Sequence, residues 1–161
     1  MDDVILLHVG DGPFNGEEQD LVNRIGLSRK VIFLGKTQDV VNVLWASDLF
    51  LMPSLYEGMP IACMEAMKCC VPPIVFQNTP RLQDLVKHNE TGFCVDRSSN
   101  NYTALLLECF NTKHKLSKID VNANGFITKK FGMIQSINMY LEILQFSIIP
   151  VTRNLIYVIY L

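Results

Sequence analysis

Short, unbroken apolar runs alternate along this chain with segments whose apolar residues recur three or four positions apart. Residues 4–9 form the first run. Residues 17–25 place Leu21, Val22 and Ile25 on one side of a helix, which Gly26 closes. Residues 31–34 predict a second strand, and Asp39 stands where it would cap a helix over Val40, Val43 and Leu44. A strand at 49–52, a helix at 61–68 and a strand at 71–76 come next. The pattern then predicts a short helix over 81–88 with Leu82, Leu85 and Val86 on one side, and a short strand at 93–95. A helix begun by Ser98 or Asn100 runs through Leu105, Leu106 and Phe110. The strand runs are continuous rather than alternating, as strands buried on both faces should be. Such strands with helices between them predict an α/β fold, a parallel sheet flanked by helices. A ligand is expected at the carboxyl ends of its strands.

The stretch 49–75 combines the most local signals. Pro53 and Ser54 stop an apolar run, and Tyr56-Glu57-Gly58-Met59-Pro60 makes a turn. Pro60 stands just ahead of the helical run that carries Ile61, Met64 and Met67. A loop that opens a helix points free backbone N–H groups outward, and the helix dipole adds positive potential there, so the place attracts phosphate. Gly58 lacks a Cβ, which lets a ligand approach its backbone. Glu65, one turn into the helix, can accept hydrogen bonds from a diol such as the ribose 2′,3′ pair. Glu57, in the loop, can reach what lies beyond the phosphates, and a polyhydroxylated sugar fits that place.

Ser54 to Pro60, followed by Glu65-Ala66-Met67, resembles the E-x7-E signature of retaining glycosyltransferases of family 4, the group 1 transferases. The resemblance extends to His8-Val9-Gly10-Asp11-Gly12-Pro13, to Val31-Ile32-Phe33-Leu34-Gly35, to Ala46-Ser47-Asp48-Leu49-Phe50 and to Asn89-Glu90-Thr91-Gly92-Phe93-Cys94-Val95. It covers roughly residues 3–110, and 126–145 more weakly. It implies a Rossmann-like domain, the C-terminal, nucleotide-sugar-binding half of a GT-B fold in truncated form. The implied division is a nucleotide-sugar-binding domain over 1–111, a polar connection and C-terminal helix over 112–145, and an apolar tail over 146–161.

The resemblance implies transfer of a sugar from a nucleotide diphosphate sugar, such as a UDP- or GDP-sugar, to an unknown acceptor glycan or lipid, with retention at the anomeric carbon. Glu57 is the implied catalytic residue, holding sugar hydroxyls and orienting the anomeric carbon. Glu65 would hold the ribose. Gly58, Met59, Pro60, Ile61 and Ala62 would line the pyrophosphate in place of a metal, so neither metal nor cofactor is expected. Gly35 and Lys36 are candidates near the base or phosphates, a lysine such as Lys36 being more often a solvated loop residue. Arg81 is a candidate for the donor phosphate or sugar, or a plain helix-start arginine.

Two departures stand out. Cys70 occupies a place where the family usually has Gly, so a differently made turn is expected. Pro80-Arg81 lies near the family's glycine pair, with Asp84 near its following Glu. The N-terminal acceptor-binding domain and the family's basic pair are expected to be missing. The isolated chain is therefore expected to be inactive. A non-catalytic nucleotide-sugar-binding module, or a fragment that needs a partner acceptor domain, is the alternative. Another Rossmann-type domain is disfavoured by the lack of G-x-G-x-x-G.

The remaining features narrow the reading. The net charge of −2 and the absence of a basic block give no footprint for nucleic acid. Five cysteines without C-x-x-C spacing read as reduced core residues of an intracellular protein, and a start without signal-peptide character points the same way. The cytoplasm, or the cytoplasmic face of a membrane, is the expected location. His8, His88 and His114 have no neighbours at metal-ligand spacing. Residues 111–130 read as a polar surface segment leading to a helix over about 132–145. Within them, residues 120–127 imitate a calcium loop, but Phe131 stands where the bidentate Glu should be. The tail at 146–161 is apolar and shorter than the ~20 residues that span a bilayer. Membrane association, a terminal strand and a non-native end are three open readings of it.

Overall fold

The computed structural model describes residues 4–10 and 16–132. The elements are β1 (Leu6–Val9), α1 (Glu17–Arg24), β2 (Val31–Gly35), α2 (Val40–Trp45), β3 (Phe50–Met52), α3 (Ile61–Lys68), β4 (Pro73–Phe76), α4 (Leu82–Leu85), β5 (Phe93–Val95), α5 (Ser99–Asn111) and α6 (Lys113–Phe131). All paired strands are parallel. They form two sheets rather than one, in two compact units that divide between Ala46 and Ser47.

In the first unit β1 pairs with β2, with an irregularity between His8 and Val9. Gly26, at φ 74°, follows the end of α1 as the sequence leads one to expect. Asp39 does occupy the N-cap of α2, but its carboxylate accepts from the Asn42 side-chain amide at 2.7 Å rather than from the helix backbone. Its own N–H donates to Thr37 Oγ1.

In the second unit β4 lies between β3 and β5. Its side chains alternate between two cores. Val75 packs with Cys63, Met67, Leu82, Leu85, Val86, Ala123 and Ile127. Ile74 packs with Phe93, Val95, Cys109, Leu116 and Ile119. Helices therefore cover both faces of this sheet, which explains why β4 is apolar at successive positions. Ser98, not Asn100, caps α5, accepting from the Asn101 N–H.

Three local expectations are corrected. The helix over 81–88 shrinks to a single turn, Leu82–Leu85, although Leu82, Leu85 and Val86 are all buried as expected. The turn before β4 needs no new design, because Cys70 itself takes the left-handed conformation at φ 61°. For a residue with a Cβ that conformation is strained by roughly 1–3 kcal/mol. The polar segment is no surface turn: Lys113–Phe131 is a 19-residue helix.

The signal for α6 was present in the sequence. Leu116, Ile119, Ala123 and Ile127 recur at helical spacing, and all four are buried. Their burial outweighs the roughly 1 kcal/mol that Gly125 costs in a helix interior. Polar contacts tie α6 to α3 as well: Lys68 Nζ donates to Thr128 Oγ1 at 2.7 Å, and Asn124 Nδ2 donates to the Lys68 carbonyl. Residues 120–127 are thus helical, not a calcium loop. Among the described residues no helix is long and apolar enough to cross a membrane. The helix expected over 132–145, save Gly132, and the tail at 146–161 lie outside the described residues, as do Asp11, Gly12 and Pro13.

Candidate donor site

The loop between β3 and α3 leaves the carboxyl end of a parallel strand and opens a helix. Pro60, buried, is the residue before the first turn rather than within it, and no side chain caps that turn. The Ile61 N–H donates to the Met59 carbonyl at 2.8 Å and the Met64 N–H to the Pro60 carbonyl at 3.1 Å. That leaves the Ala62 and Cys63 N–H groups as the donors that a helix start presents. A Cβ added at Gly58 would meet nothing within 4 Å, so the space above its backbone is open. Tyr56 and Met59 in the same loop are 75% and 65% exposed.

Glu57, Gly58, Met59, Pro60, Ile61, Ala62 and Glu65 are thus gathered on one loop and one helix start. Glu57 is half-buried and Glu65 exposed. The Glu57 charge reaches inward: burial pushes the Cys63 thiol up to about 12, and Glu57 adds to that rise. Arg81 is in the same unit, at the start of α4, with φ 67°. Asn78, in the same loop, is also left-handed at φ 64°. Gly35, at φ 62°, ends β2, and exposed Lys36 follows it, both in the first unit.

Two residues that the sequence reading passed over hold the loop. The fully buried Thr79 donates through Oγ1 to the Ser54 carbonyl at 2.9 Å. Arg97 Nη2 donates to the Leu55 carbonyl at 3.1 Å. Their only sequence signal is position, each lying just beyond the carboxyl end of a strand. An open depression of about 460 Å³ is lined by Gln77, Asn78, Gln83, Val86, His88 and Cys94, with neither glutamate in its lining. His88 is engaged there, its Nδ1 accepting from the Cys94 N–H at 3.1 Å.

The model of the family described as Glycosyl transferases group 1 matches residues 1–124. The chain belongs to this family. Among curated relatives of this group 1 chain is the UDP-Gal:alpha-D-GlcNAc-diphosphoundecaprenol alpha-1,3-galactosyltransferase of Escherichia coli. It is 30% identical over 138 residues, which are 84% of this chain and 35% of that protein. N-acetyl-alpha-D-glucosaminyl L-malate synthase of Bacillus anthracis is 35% identical over 91 residues, 56% of this chain and 24% of that one.

Among solved structures, Anabaena Alr3699/HepE in complex with UDP-glucose matches with a TM-score of 0.79 and 26% identity, over 88% of this chain and 41% of that one. The C-terminal domain of a group 1 glycosyl transferase (LpcC) from Francisella tularensis matches with a TM-score of 0.66 and 22% identity, over 74% of this chain and 63% of that domain. The fold is therefore that of the C-terminal half of a GT-B glycosyltransferase. The chain spans about a third of the length of the Escherichia coli relative.

Proposed function

We propose that this chain is the donor-binding half of a glycosyltransferase that transfers a sugar from a nucleotide diphosphate sugar with retention. The observation that carries the reading is the open, uncapped start of α3 beyond a parallel strand, flanked by Glu57 in the loop and Glu65 one turn on. The family match and the UDP-glucose complex of the Anabaena protein support it. The pyrophosphate would lie against the backbone N–H groups between Gly58 and Ala62, of which Pro60 has none and that of Ile61 already donates to the Met59 carbonyl. The positive end of α3 would offset the negative charge that grows on the leaving group, so the site needs no metal. Glu65 would hold the ribose diol. Glu57 would hold sugar hydroxyls and so present the anomeric carbon to an acceptor hydroxyl. Arg81 would serve the donor phosphate or sugar. The bond from the anomeric carbon to the phosphate oxygen would break and a bond to the acceptor oxygen form on the same face, the acceptor hydroxyl's proton passing to the departing phosphate.

The acceptor, a glycan or lipid, would be held by a partner domain, and transfer requires it. Alone, the 161-residue chain should bind donor without transferring sugar, since positioning of the two reactants can supply ~7–11 kcal/mol of the barrier reduction.

Calorimetry with UDP, GDP and ADP and their glucose forms tests the site. Glu65→Gln should weaken both the free nucleotide and the sugar form, because both contain ribose. Glu57→Gln should weaken only the sugar form. Each loss should be about 1–3 kcal/mol. Absence of binding to every probe would sink the reading, and equal effects of the two changes on free nucleotide would sink the division of roles.

A further inference from the structure

We propose that Thr79 and Arg97 are positioning residues for the donor sugar, acting through the Ser54 and Leu55 carbonyls to set the direction of Glu57; this rests on the donor-site reading above. The loop that carries Glu57 is exposed at Leu55 and Tyr56, and such a loop is ordinarily among the parts of a fold that open most easily. Two donors from outside it take consecutive carbonyls. The Thr79 hydroxyl comes from beyond β4, 25 residues along the chain, and the Arg97 guanidinium from beyond β5, 42 residues along.

The geometry explains why two bonds do more than one. The Ser54 carbonyl belongs to the peptide plane before Leu55, and the Leu55 carbonyl to the plane after it. Each peptide unit is rigid, so holding both planes fixes φ and ψ of Leu55. The chain leaves Leu55 in one direction, toward Tyr56 and Glu57. Thr79 sits between Asn78 and Arg81, both at positive φ, so the segment that delivers the hydroxyl follows a path the surrounding fold must impose. Thr79 is fully buried and Arg97 exposed. One bond of the pair is therefore anchored in the core, and the other can be removed without disturbing it.

The competing account is that a buried threonine hydroxyl simply needs a partner. That account predicts a loss of stability with no preference among ligands. Positioning predicts a preference, because Glu57 would touch the sugar while free nucleotide rests on Glu65 and the start of α3. The test titrates the full chain and its variants with UDP, GDP and ADP and their glucose forms. The pair that the wild-type chain binds carries the comparison. Thr79→Val should weaken the sugar form about tenfold and the free nucleotide less than about twofold, and Arg97→Gln should weaken the sugar form about threefold. Thr79→Ser, which keeps the hydroxyl, should restore the affinity ratio.

Equal losses for the sugar form and the free nucleotide, or no loss in either, would overturn the positioning role while leaving the donor site standing. Should Thr79→Val fail to fold, Arg97→Gln decides by the same ratio. A wild-type chain that binds no probe removes the donor-site reading and this inference with it.

Discussion

β4 and β2 are both short parallel strands of aliphatic residues, yet their surroundings differ. Ile74 and Val75 in β4 are fully buried, one in each of two cores, with helices on both faces. Ile32 and Leu34 in β2 remain 45% and 41% exposed, and Leu44 is the buried hydrophobic residue of that unit among the described residues. A fully buried aliphatic side chain contributes roughly 1.5–3 kcal/mol, a half-exposed one much less. The unit that carries Glu57 and Glu65 is therefore the better-anchored one. Its strands serve as a platform, and the loops beyond β3, β4 and β5 can be held in place by single hydrogen bonds.

The largest effect should come from the platform's core. Met67→Ala, at a fully buried position packed with Val75 and Ala123, should cost about 2–5 kcal/mol in denaturant unfolding. Ile32→Ala should cost less than ~1 kcal/mol. Comparable costs would break the contrast between the two units.

Alkali should separate the units next. Burial lifts the Cys63 thiol from its ordinary 9.0 to about 12 and Cys109 to about 11. The folded unit keeps these thiols protonated while the unfolded chain releases their protons near pH 9. Their contribution is complete below pH 9 and drains away as the pH rises toward 11–12. All five cysteines lie between residues 63 and 109, so raising the pH from 9 toward 11–12 should cost β4 and β5 more of their hydrogen-exchange protection than it costs β1 and β2. A larger loss in β1 and β2 would contradict this.

A smaller contrast lies between two glycines of the platform. A Cβ at Gly92 would come within 2.7 Å of the Pro73 carbonyl and 2.8 Å of Val86. Gly92→Ala should therefore cost about 1–3 kcal/mol. Gly58→Ala meets open space and should leave the melting temperature nearly unchanged while weakening donor binding. The smallest effect should be a gain. Cys70→Gly removes a strained left-handed Cβ, offset in part by the greater freedom of the unfolded chain, and should stabilise by about 0.5–1 kcal/mol. A loss at that position would show that the thiol makes a contact worth more than the strain.

Most of the fold and the centre of the candidate site were legible in the sequence. The order of strands and helices follows from short apolar runs broken by Gly, Pro and polar residues, which act over four to eight neighbours. The β3–loop–α3 unit with Glu57, Gly58 and Glu65 is such a local feature, since all its parts lie within one continuous stretch. α6 was missed because its Asn, Asp and Gly residues favour turns locally, and only the packing of Leu116, Ile119, Ala123 and Ile127 against the sheet and its helices overrules them.

What the sequence by itself determined is what neighbours along the chain decide: the element types, the place of the candidate donor loop and the residue types it carries. Tertiary structure alone decided how that loop is held. The Thr79 and Arg97 bonds bridge 25 and 42 residues, and the strained turns at Cys70, Asn78 and Arg81 persist under the surrounding packing. Such contacts depend on which strand lies beside which, and a linear pattern of apolar and polar residues does not carry that order.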